Sequence, residues 1–212
     1  WLALIYFSSK YYHKSFGQTA FTSIPRSIKD VNTYLPGKKI SKIEKLLNQV
    51  EVTEQKNHDF EDLVLNSDQK HAVKIILDAT KPVLLHGVTG SGKTRVYAKL
   101  IQETLKKIPN SQILLLVPEI GLTPQAFENM STMLNGIEIN LFHSEQTPNL
   151  RSKIWLSSLK GKPSLIIGTR ISVFLPLPNL RMIIIDEEHD PSYKQKEGIR
   201  YSARNLAIWR GM

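Results

Sequence analysis

The sequence predicts an α/β fold with a mostly parallel, doubly wound sheet and a small N-terminal appendage. From residue 66 onward, short apolar runs alternate with stretches of helical length. This alternation is typical of strands that are buried on both faces by crossover helices. The chain has 212 residues, of which 41% are hydrophobic and 22% charged. It is therefore long enough for one packed domain and a smaller addition.

The individual elements follow from the apolar runs and from the residues that interrupt them. The predicted strands are 82–86, 112–117, 137–142, 164–168 and 181–186. The predicted helical stretches between them are 93–107, 123–134, 148–161 and 170–175. A further helix is expected from about residue 67 to 80, because Asn66 followed three residues later by Gln69 forms the pattern of a capping box.

The part of the chain before residue 65 is less regular. It begins with an aromatic, helix-like stretch, and Ile24-Pro25 marks a break after it. The polar residues that follow show only one short amphipathic pattern. We therefore expect an appendage over residues 1–25, a linker with a short helix over 26–64, and the main domain over 65–212.

Composition excludes several classes of protein. The chain contains no cysteine, which removes disulfide scaffolds and thiolate metal sites. Its longest apolar runs are about six residues, far below the roughly 20 that a membrane span needs. The first residue is Trp1 and no signal peptide is visible, so we interpret the chain as a piece of a longer cytoplasmic protein. The net charge of +9 favours a polyanionic partner.

The strongest motif is a phosphate-binding loop between the first predicted strand and its helix. Gly87-Val88-Thr89-Gly90-Ser91-Gly92-Lys93-Thr94 matches the pattern G-x-x-x-x-G-K-[ST] in full. Glycines let successive backbone N–H groups turn toward a phosphate, and the helix N-terminus adds partial positive charge. We expect Lys93 to reach the β- and γ-phosphates of ATP and the Thr94 hydroxyl to bind Mg²⁺. The alternative is a glycine-rich turn that only joins strand to helix.

Two acidic residues follow the last predicted strand. Ligands of open α/β sheets bind beyond the carboxyl ends of the strands, where Asp186 and Glu187 fall. Asp186 suits the coordination shell of Mg²⁺, and Glu187 suits the activation of a water molecule. The alternative is an acidic turn that caps the strand. The phosphate loop and the acid pair alone are also compatible with the function of a small-molecule kinase.

Segments after two other strands favour nucleic acid over a small metabolite. Thr123 follows the second strand, and Thr169 and Arg170 follow the fourth. Hydroxyl and guanidinium groups in such positions are suited to phosphate backbones. Each segment also has a structural interpretation, since Thr123 could be an N-cap before Pro124 and Gly168-Thr169-Arg170 could be a turn.

Three of these segments resemble helicase motifs. The phosphate loop, Gly168-Thr169-Arg170 and Asp186-Glu187-Glu188-His189 are similar to motifs I, Ib and II of superfamily 2 helicases. Three sequence segments resemble the PriA family of primosomal replication-restart helicases. They are GVTGSGKT at residues 87–94, VPEIGLTPQ at 117–125 and DEEHDPSYKQKEG at 186–198. The resemblance covers roughly residues 65–212 and, more loosely, residues 1–25.

The resemblance implies a RecA-like P-loop lobe of an ATP-dependent 3′→5′ DNA helicase that acts at stalled replication forks. The implied cofactors are ATP and Mg²⁺, and the implied partners are single-stranded and forked DNA, primosome proteins and single-strand-binding proteins, without a membrane. Residues 1–25 would be the end of the N-terminal DNA-binding domain of the family. Residues 26–64 are short for its winged-helix domain, which would be reduced or absent.

The resemblance also assigns roles to single residues. Gln69 would contact adenine, in competition with its role in the capping box. Residues 190–204 would form an aromatic-rich loop that couples DNA binding to ATP hydrolysis. Its side chains would stack on bases and hold phosphates, the alternative being a solvated basic loop that packs its tyrosines on the domain. The candidate DNA-binding residues of this loop are Tyr193, Lys194, Lys196, Arg200 and Tyr201.

The chain also departs from the family pattern. It stops at Met212, before the second helicase lobe with its arginine finger and before the cysteine zinc sites. We therefore expect zinc only in the missing C-terminal part and very little ATP hydrolysis from these residues alone. Two other functions remain as alternatives: a nucleotide-gated DNA-binding module without unwinding, and a P-loop kinase for a small molecule.

Overall fold

The computed structural model describes residues 1–29, 60, 62–88, 90–119 and 124–212, the side chains of 124–126 excepted. Residues 1–29 of the described chain contain three helices. They are α1 (Leu2–Tyr11), α2 (Phe16–Ser23) and α3 (Arg26–Lys29). The elements that follow are α4 (Ser67–Asp78), α5 (Lys93–Lys107), β1 (Gln112–Leu116), α6 (Pro124–Met133), β2 (Ile139–Phe142), α7 (Pro148–Leu159), β3 (Ser164–Gly168), a 3₁₀ helix (Arg170–Phe174), β4 (Leu180–Ile185), a second 3₁₀ helix (Pro191–Tyr193) and α8 (Ala203–Gly211).

The four strands form one parallel sheet in the order β2-β3-β1-β4. The strand β1 lies inside the sheet, with Leu116 opposite Gly168 of β3 and Ile185 of β4. The carboxyl ends of β1, β3 and β4 therefore meet at one edge, which is where ligands of such sheets bind. The prediction of a parallel α/β sheet is confirmed.

Helices cover both faces of the sheet, because alternate residues of each strand point to opposite sides. On one side, Leu114 and Leu116 of β1 pack with α1, α7, α8 and the first 3₁₀ helix. On the other side, Ile113 and Leu115 pack with α5 and α6. A sheet with helices on both faces is doubly wound, as the continuous apolar runs predicted.

The N-terminal helix α1 packs into the same core as the sheet. Leu4 and Ile5 are buried in the cluster that contains β1. The Trp1 indole donates a hydrogen bond of 2.7 Å to the carbonyl oxygen of Phe174, and the rings of Phe7 and Trp209 stack 4.4 Å apart. In the described residues, α1 is thus a layer over the sheet. The domain boundaries expected from the sequence stay a prediction.

One predicted strand is wrong. Residues 82–86 have no strand partner in the described part of the chain, and Val83 and Leu84 are 45% and 72% exposed. A run of apolar residues becomes a strand only where a neighbour supplies backbone hydrogen bonds. Among the described residues, no strand pairs with the outer edge of β4, and the run 82–86 pairs with none of the four strands.

The helix predictions fare better. The predicted helix 93–107 is found with the same limits, and 123–134 and 148–161 are found one or two residues shorter. The stretch 170–175 forms a 3₁₀ helix that ends at Phe174. Most of the predicted linker, including its short helix, lies outside the described residues. No helix in the described ranges is long and apolar enough to cross a bilayer.

Candidate nucleotide site

The phosphate loop connects the exposed apolar run to α5. Gly90 and Gly92 have φ values of +82° and +81°, a left-handed conformation that glycine adopts without the strain of a side chain. The Ser91 N–H donates to the Val88 carbonyl oxygen at 3.1 Å, and α5 begins at Lys93. Thr89 lies outside the described residues. The loop thus has the backbone shape for which the glycine spacing is needed.

Lys93 lies between this loop and the acid pair. Its ammonium donates to the Gly87 carbonyl oxygen at 2.9 Å and lies 3.6 Å from a carboxylate oxygen of Glu187. The phosphate loop and the acid pair therefore contact each other through Lys93 and Glu187. Glu187 has a φ of +45°, which is uncommon for a residue with a side chain and typical of functional sites.

Sequence reasoning missed Tyr97, which contacts the acid pair from α5. Its hydroxyl donates to Oδ1 of Asp186 at 3.1 Å. The same oxygen accepts the Glu187 N–H at 3.1 Å. Burial, and then the neighbouring Asp186 carboxylate, raise the pKa of Tyr97, so the hydroxyl remains a donor. Its position four residues after Lys93, on the same face of α5, was the available signal.

Gln69 forms the predicted capping box at the start of α4. Its side-chain oxygen accepts the Asn66 N–H at 3.1 Å, while its own N–H donates to the Asn66 side chain at 2.8 Å. The Gln69 amide nitrogen also donates to the Ser91 carbonyl oxygen at 3.1 Å. Gln69 therefore buttresses the phosphate loop, and both ends of its amide are already bonded in this conformation.

The residues present fit an ATP–Mg²⁺ group by their chemistry. The Lys93 ammonium donates to a carbonyl oxygen of the loop itself, so it lies beside the backbone that would surround the phosphates. Thr94 is exposed and Asp186 is half-buried, so a hydroxyl and a carboxylate, both ligands that Mg²⁺ prefers, are accessible. The set of donors around the loop is that of a phosphate–metal site.

Residues after β4 form a loop that folds back on the domain. The post-β4 loop comprises residues 190–202 and is closed by an antiparallel bridge between Lys194 and Ser202. Tyr193 is 3% exposed and Tyr201 is 1% exposed. Rings buried to this degree cannot stack on DNA bases, so that prediction is corrected for both tyrosines. The alternative, tyrosines packed on the domain, is what the structure shows.

Tyr193 joins two strand ends instead. Its hydroxyl hydrogen is shared between the carbonyl oxygens of Asp186, at 2.6 Å, and Leu116, at 3.0 Å. Tyr201 packs edge-on against Phe174, with ring centroids 4.8 Å apart. The loop is thereby attached to the carboxyl ends of β1 and β4 beside the acid pair.

Arg170 and Thr169 are also engaged within the chain. The Arg170 guanidinium lies 2.8 Å from a carboxylate oxygen of Glu119 and donates to Gln195 and to the Ser192 carbonyl oxygen at 2.7 and 3.0 Å. Thr169 is 4% exposed. In this conformation Arg170 ties the segment after β1 to the post-β4 loop, and neither residue presents a free group to a phosphate backbone.

The remaining candidates of the post-β4 loop are exposed but differ in their contacts. Lys194 donates to the Arg200 carbonyl oxygen at 2.6 Å and lies over the Tyr12 ring. The side chains of Lys196 and Arg200 are exposed and stay candidates for phosphate contacts. Thr123 lies outside the described residues.

The fold and the site define a P-loop nucleotide-binding domain. A family model described as DEAD/DEAH box helicase matches residues 66–210, and the chain belongs to that family. ATP and Mg²⁺ are the general cofactors of such helicases. The match to a helicase family over residues 66–210 does not favour the kinase alternative.

Similar proteins agree with the resemblance seen in the sequence. The chain is 38% identical over 211 residues to the replication restart protein PriA of Rickettsia conorii, covering 99% of this chain and 30% of that protein. It is 45% identical over 148 residues to the protein of the same name from Haemophilus influenzae, covering 69% of this chain and 20% of that protein. The chain thus spans less than a third of these relatives.

Proposed function

We propose that this chain is the ATP-binding lobe of a replication-restart DNA helicase with 3′→5′ polarity. The observation that carries the proposal is the contact between Lys93 of the phosphate loop and Glu187 of the acid pair. Relatives named replication restart protein PriA, similar over 99% of the chain in one case, supply the biological setting. The polarity and the action at stalled forks rest on this similarity.

The residues divide the work of nucleotide binding. Residues 87–94 would surround the phosphates with backbone N–H groups, and Lys93 would exchange the Gly87 carbonyl for a phosphate oxygen. Thr94 and Asp186 would hold Mg²⁺, which neutralises phosphate charge and orients the phosphates. Glu187, whose carboxylate is 44% exposed, would orient and deprotonate the attacking water.

Single-stranded and forked DNA is the proposed partner. The net charge of +9 favours a polyanion, and the exposed Lys196 and Arg200 offer phosphate contacts on the post-β4 loop. That loop is bonded through Tyr193 to the backbone of Asp186, which supports a mechanical link between DNA binding and the acid pair. Primosome and single-strand-binding proteins are further proposed partners, on similarity alone.

Hydrolysis by these residues alone should be slow. The lobe offers cations and a metal site on one side of the nucleotide, and an arginine supplied from another lobe is typically worth a factor of about 10³ to 10⁵ in rate. We expect nucleotide binding without substantial turnover. DNA-stimulated ATP turnover at the rate of a working motor, measured on the 212 residues, would contradict this expectation.

Thermal denaturation with and without ATP and Mg²⁺ tests the nucleotide site. A ligand that binds only the folded state stabilises it by about 2.7 kcal/mol at a hundredfold excess over its dissociation constant. We expect Lys93→Ala to abolish the shift in melting temperature that ATP–Mg²⁺ produces. Lys107→Ala is the matched control, because Lys107 ends the same helix and is exposed. An ATP-induced shift that survives Lys93→Ala would overturn the assignment of the phosphate loop.

A further inference from the structure

Two groups of basic residues differ in their contacts. Those that sequence motifs singled out are mostly bonded within the chain, as Arg170 is to Glu119 and Lys194 is to the Arg200 carbonyl. A second group, which no motif marks, lies where α3 packs against the first turns of α7. It comprises Arg26, Lys29 and Arg151, called here the α3–α7 basic cluster.

Contacts between α3 and α7 bring this cluster together. The Ser27 hydroxyl is bonded to the Ser152 hydroxyl and donates to the Pro148 carbonyl oxygen at 3.3 Å. Arg26 and Arg151 flank these two serines in the sequence. Burial lowers the pKa of the Lys29 ammonium, and the charges of Arg151 and Arg26 lower it further. The Lys29 ammonium lies over the Phe21 ring, 5.8 Å from its centroid. The three cations are therefore grouped where the two helices meet.

Among the described residues, none of these cations forms an ion pair with a carboxylate. The Arg151 side chain instead lies over the Phe142 ring, with the guanidinium carbon 5.5 Å from the ring centroid. Its Nε atom is buried and has no hydrogen-bond partner. A buried donor without an acceptor is costly, and clustered like charges repel. A phosphate bound beside the cluster would reduce the repulsion between its cations.

The cluster adjoins the carboxyl edge of the sheet. Phe142, whose ring lies beneath the Arg151 guanidinium, is the last residue of β2. Its carbonyl oxygen accepts the Thr169 N–H at 3.2 Å and the Ser172 hydroxyl at 2.9 Å. The cluster is thus continuous with the segment after β3, on the edge where the phosphate loop and the acid pair also lie.

We propose that the α3–α7 basic cluster binds phosphate groups of a DNA single strand that runs along the carboxyl edge of the sheet. Arg151, whose guanidinium lies over the Phe142 ring, is the principal contact, and Lys29 and Arg26 neutralise adjoining phosphates. A fixed guanidinium suits phosphate oxygens because it offers several donors in one plane. The proposal rests on the proposed function for the identity of the strand as DNA.

Fluorescence anisotropy with a labelled 20-nucleotide oligothymidine tests the proposal in the full 212-residue chain. The affinity is measured at several salt concentrations for the parent chain and for Arg151→Gln, Lys29→Gln and Lys153→Gln. Lys153 is the matched control, since it is an exposed lysine on the same helix as Arg151. Melting temperatures of all variants report whether a change acts on the fold.

We expect Arg151→Gln to weaken oligonucleotide binding roughly tenfold at low salt, and Lys29→Gln to weaken it less. Each lost phosphate contact should also reduce the slope of log affinity against log salt by about 0.7, the value for single strands. Lys153→Gln should leave both quantities unchanged. Competition by inorganic phosphate alone should require far higher concentrations, since a single ion meets only part of the cluster.

Equal salt slopes for Arg151→Gln and the parent chain would overturn the proposal, as would equal losses for Lys153→Gln and Arg151→Gln. A lower melting temperature of Arg151→Gln with unchanged DNA affinity would show that Arg151 only packs against Phe142, and would overturn it too. Failure of the proposed function is detected by a different measurement. It would appear as the absence of a change in melting temperature when ATP and Mg²⁺ are added to the parent chain.

Discussion

The helix α5, which follows the phosphate loop, and the post-β4 loop both contact Asp186, but they do so in different ways. From the phosphate-loop side, Tyr97 donates to the carboxylate of Asp186, and the loop itself is short, glycine-rich and partly exposed. From the other side, Tyr193 donates to the backbone carbonyl of Asp186 and is almost wholly buried. Tyr97 thus contacts the carboxylate of Asp186 that would bind a metal, whereas Tyr193 contacts the backbone of the same residue.

This difference shows what a sequence motif can and cannot convey. A phosphate loop works through backbone geometry, which its glycines specify directly in the sequence. A tyrosine beside lysines has no such signature, because an aromatic ring suits a DNA base and a protein core equally well. Only the packing of residues 190–202 against the sheet decides between these uses, and it decides for the core.

The largest effect that can test this contrast is expected at Tyr201. Tyr201→Ala removes a fully buried ring that packs against Phe174, so we expect the free energy of unfolding to fall by about 3–5 kcal/mol. Urea denaturation measures this change. Tyr6→Ala is the control, since Tyr6 is 59% exposed on α1 and its loss should change stability by no more than about 0.5 kcal/mol.

A different result would break the contrast. If Tyr201→Ala left the unfolding transition in place and weakened oligonucleotide binding, the ring would be available to bases after all. The post-β4 loop would then open in solution, and the corrected prediction of base stacking would be restored.

A smaller effect is expected at Tyr193, where only a hydroxyl is removed. Tyr193→Phe leaves the ring in place but deprives the carbonyl oxygens of Leu116 and Asp186 of a donor. Because the Leu116 oxygen also accepts the Asp186 N–H, it keeps one partner. We expect a loss of about 1–3 kcal/mol in the free energy of unfolding.

Amide hydrogen exchange locates the loss at Tyr193. Exchange should accelerate in residues 190–202 and at the carboxyl end of β4 more than in α5. Tyr6→Phe, which removes an exposed hydroxyl, should change neither quantity. Uniform acceleration throughout the domain would mean that the hydroxyl stabilises the core in general and does not anchor the loop to Asp186.

The sequence predicts elements well where local signals suffice. The helix over 93–107 follows from its amphipathic period and the phosphate loop before it, and the capping box of Asn66 and Gln69 follows from residue spacing. The run 82–86 failed because strand formation depends on a neighbour that local sequence does not reveal. Its apolar residues satisfy the pattern of a buried strand without the pairing.

The site shows the same division. Lys93, Asp186 and Glu187 could be predicted because each belongs to a motif with a stated chemistry. Arg170 was predicted as a DNA contact, which stays a prediction, and its bonds to Glu119 and Gln195 depend on how three segments meet. Arg151 carries no motif, and its significance appears only when its buried Nε is found without a partner.

The smallest expected effect is at Tyr97, on the nucleotide side of Asp186. Tyr97→Phe removes the donor to a carboxylate oxygen that keeps the Glu187 N–H, so we expect the unliganded chain to lose only about 1 kcal/mol. Because partners of metal ligands orient them, the Mg²⁺-dependent part of ATP affinity should weaken by roughly tenfold. Titration of a fluorescent ATP analogue with and without Mg²⁺ separates the effect on the Mg²⁺-dependent affinity from the effect on the fold.

Tyr12→Phe is the matched control for Tyr97→Phe, since the Tyr12 hydroxyl accepts a hydrogen bond from the Ser202 N–H away from the nucleotide site. Equal weakening with and without Mg²⁺ would mean that Tyr97 supports the fold of α5 and does not position Asp186.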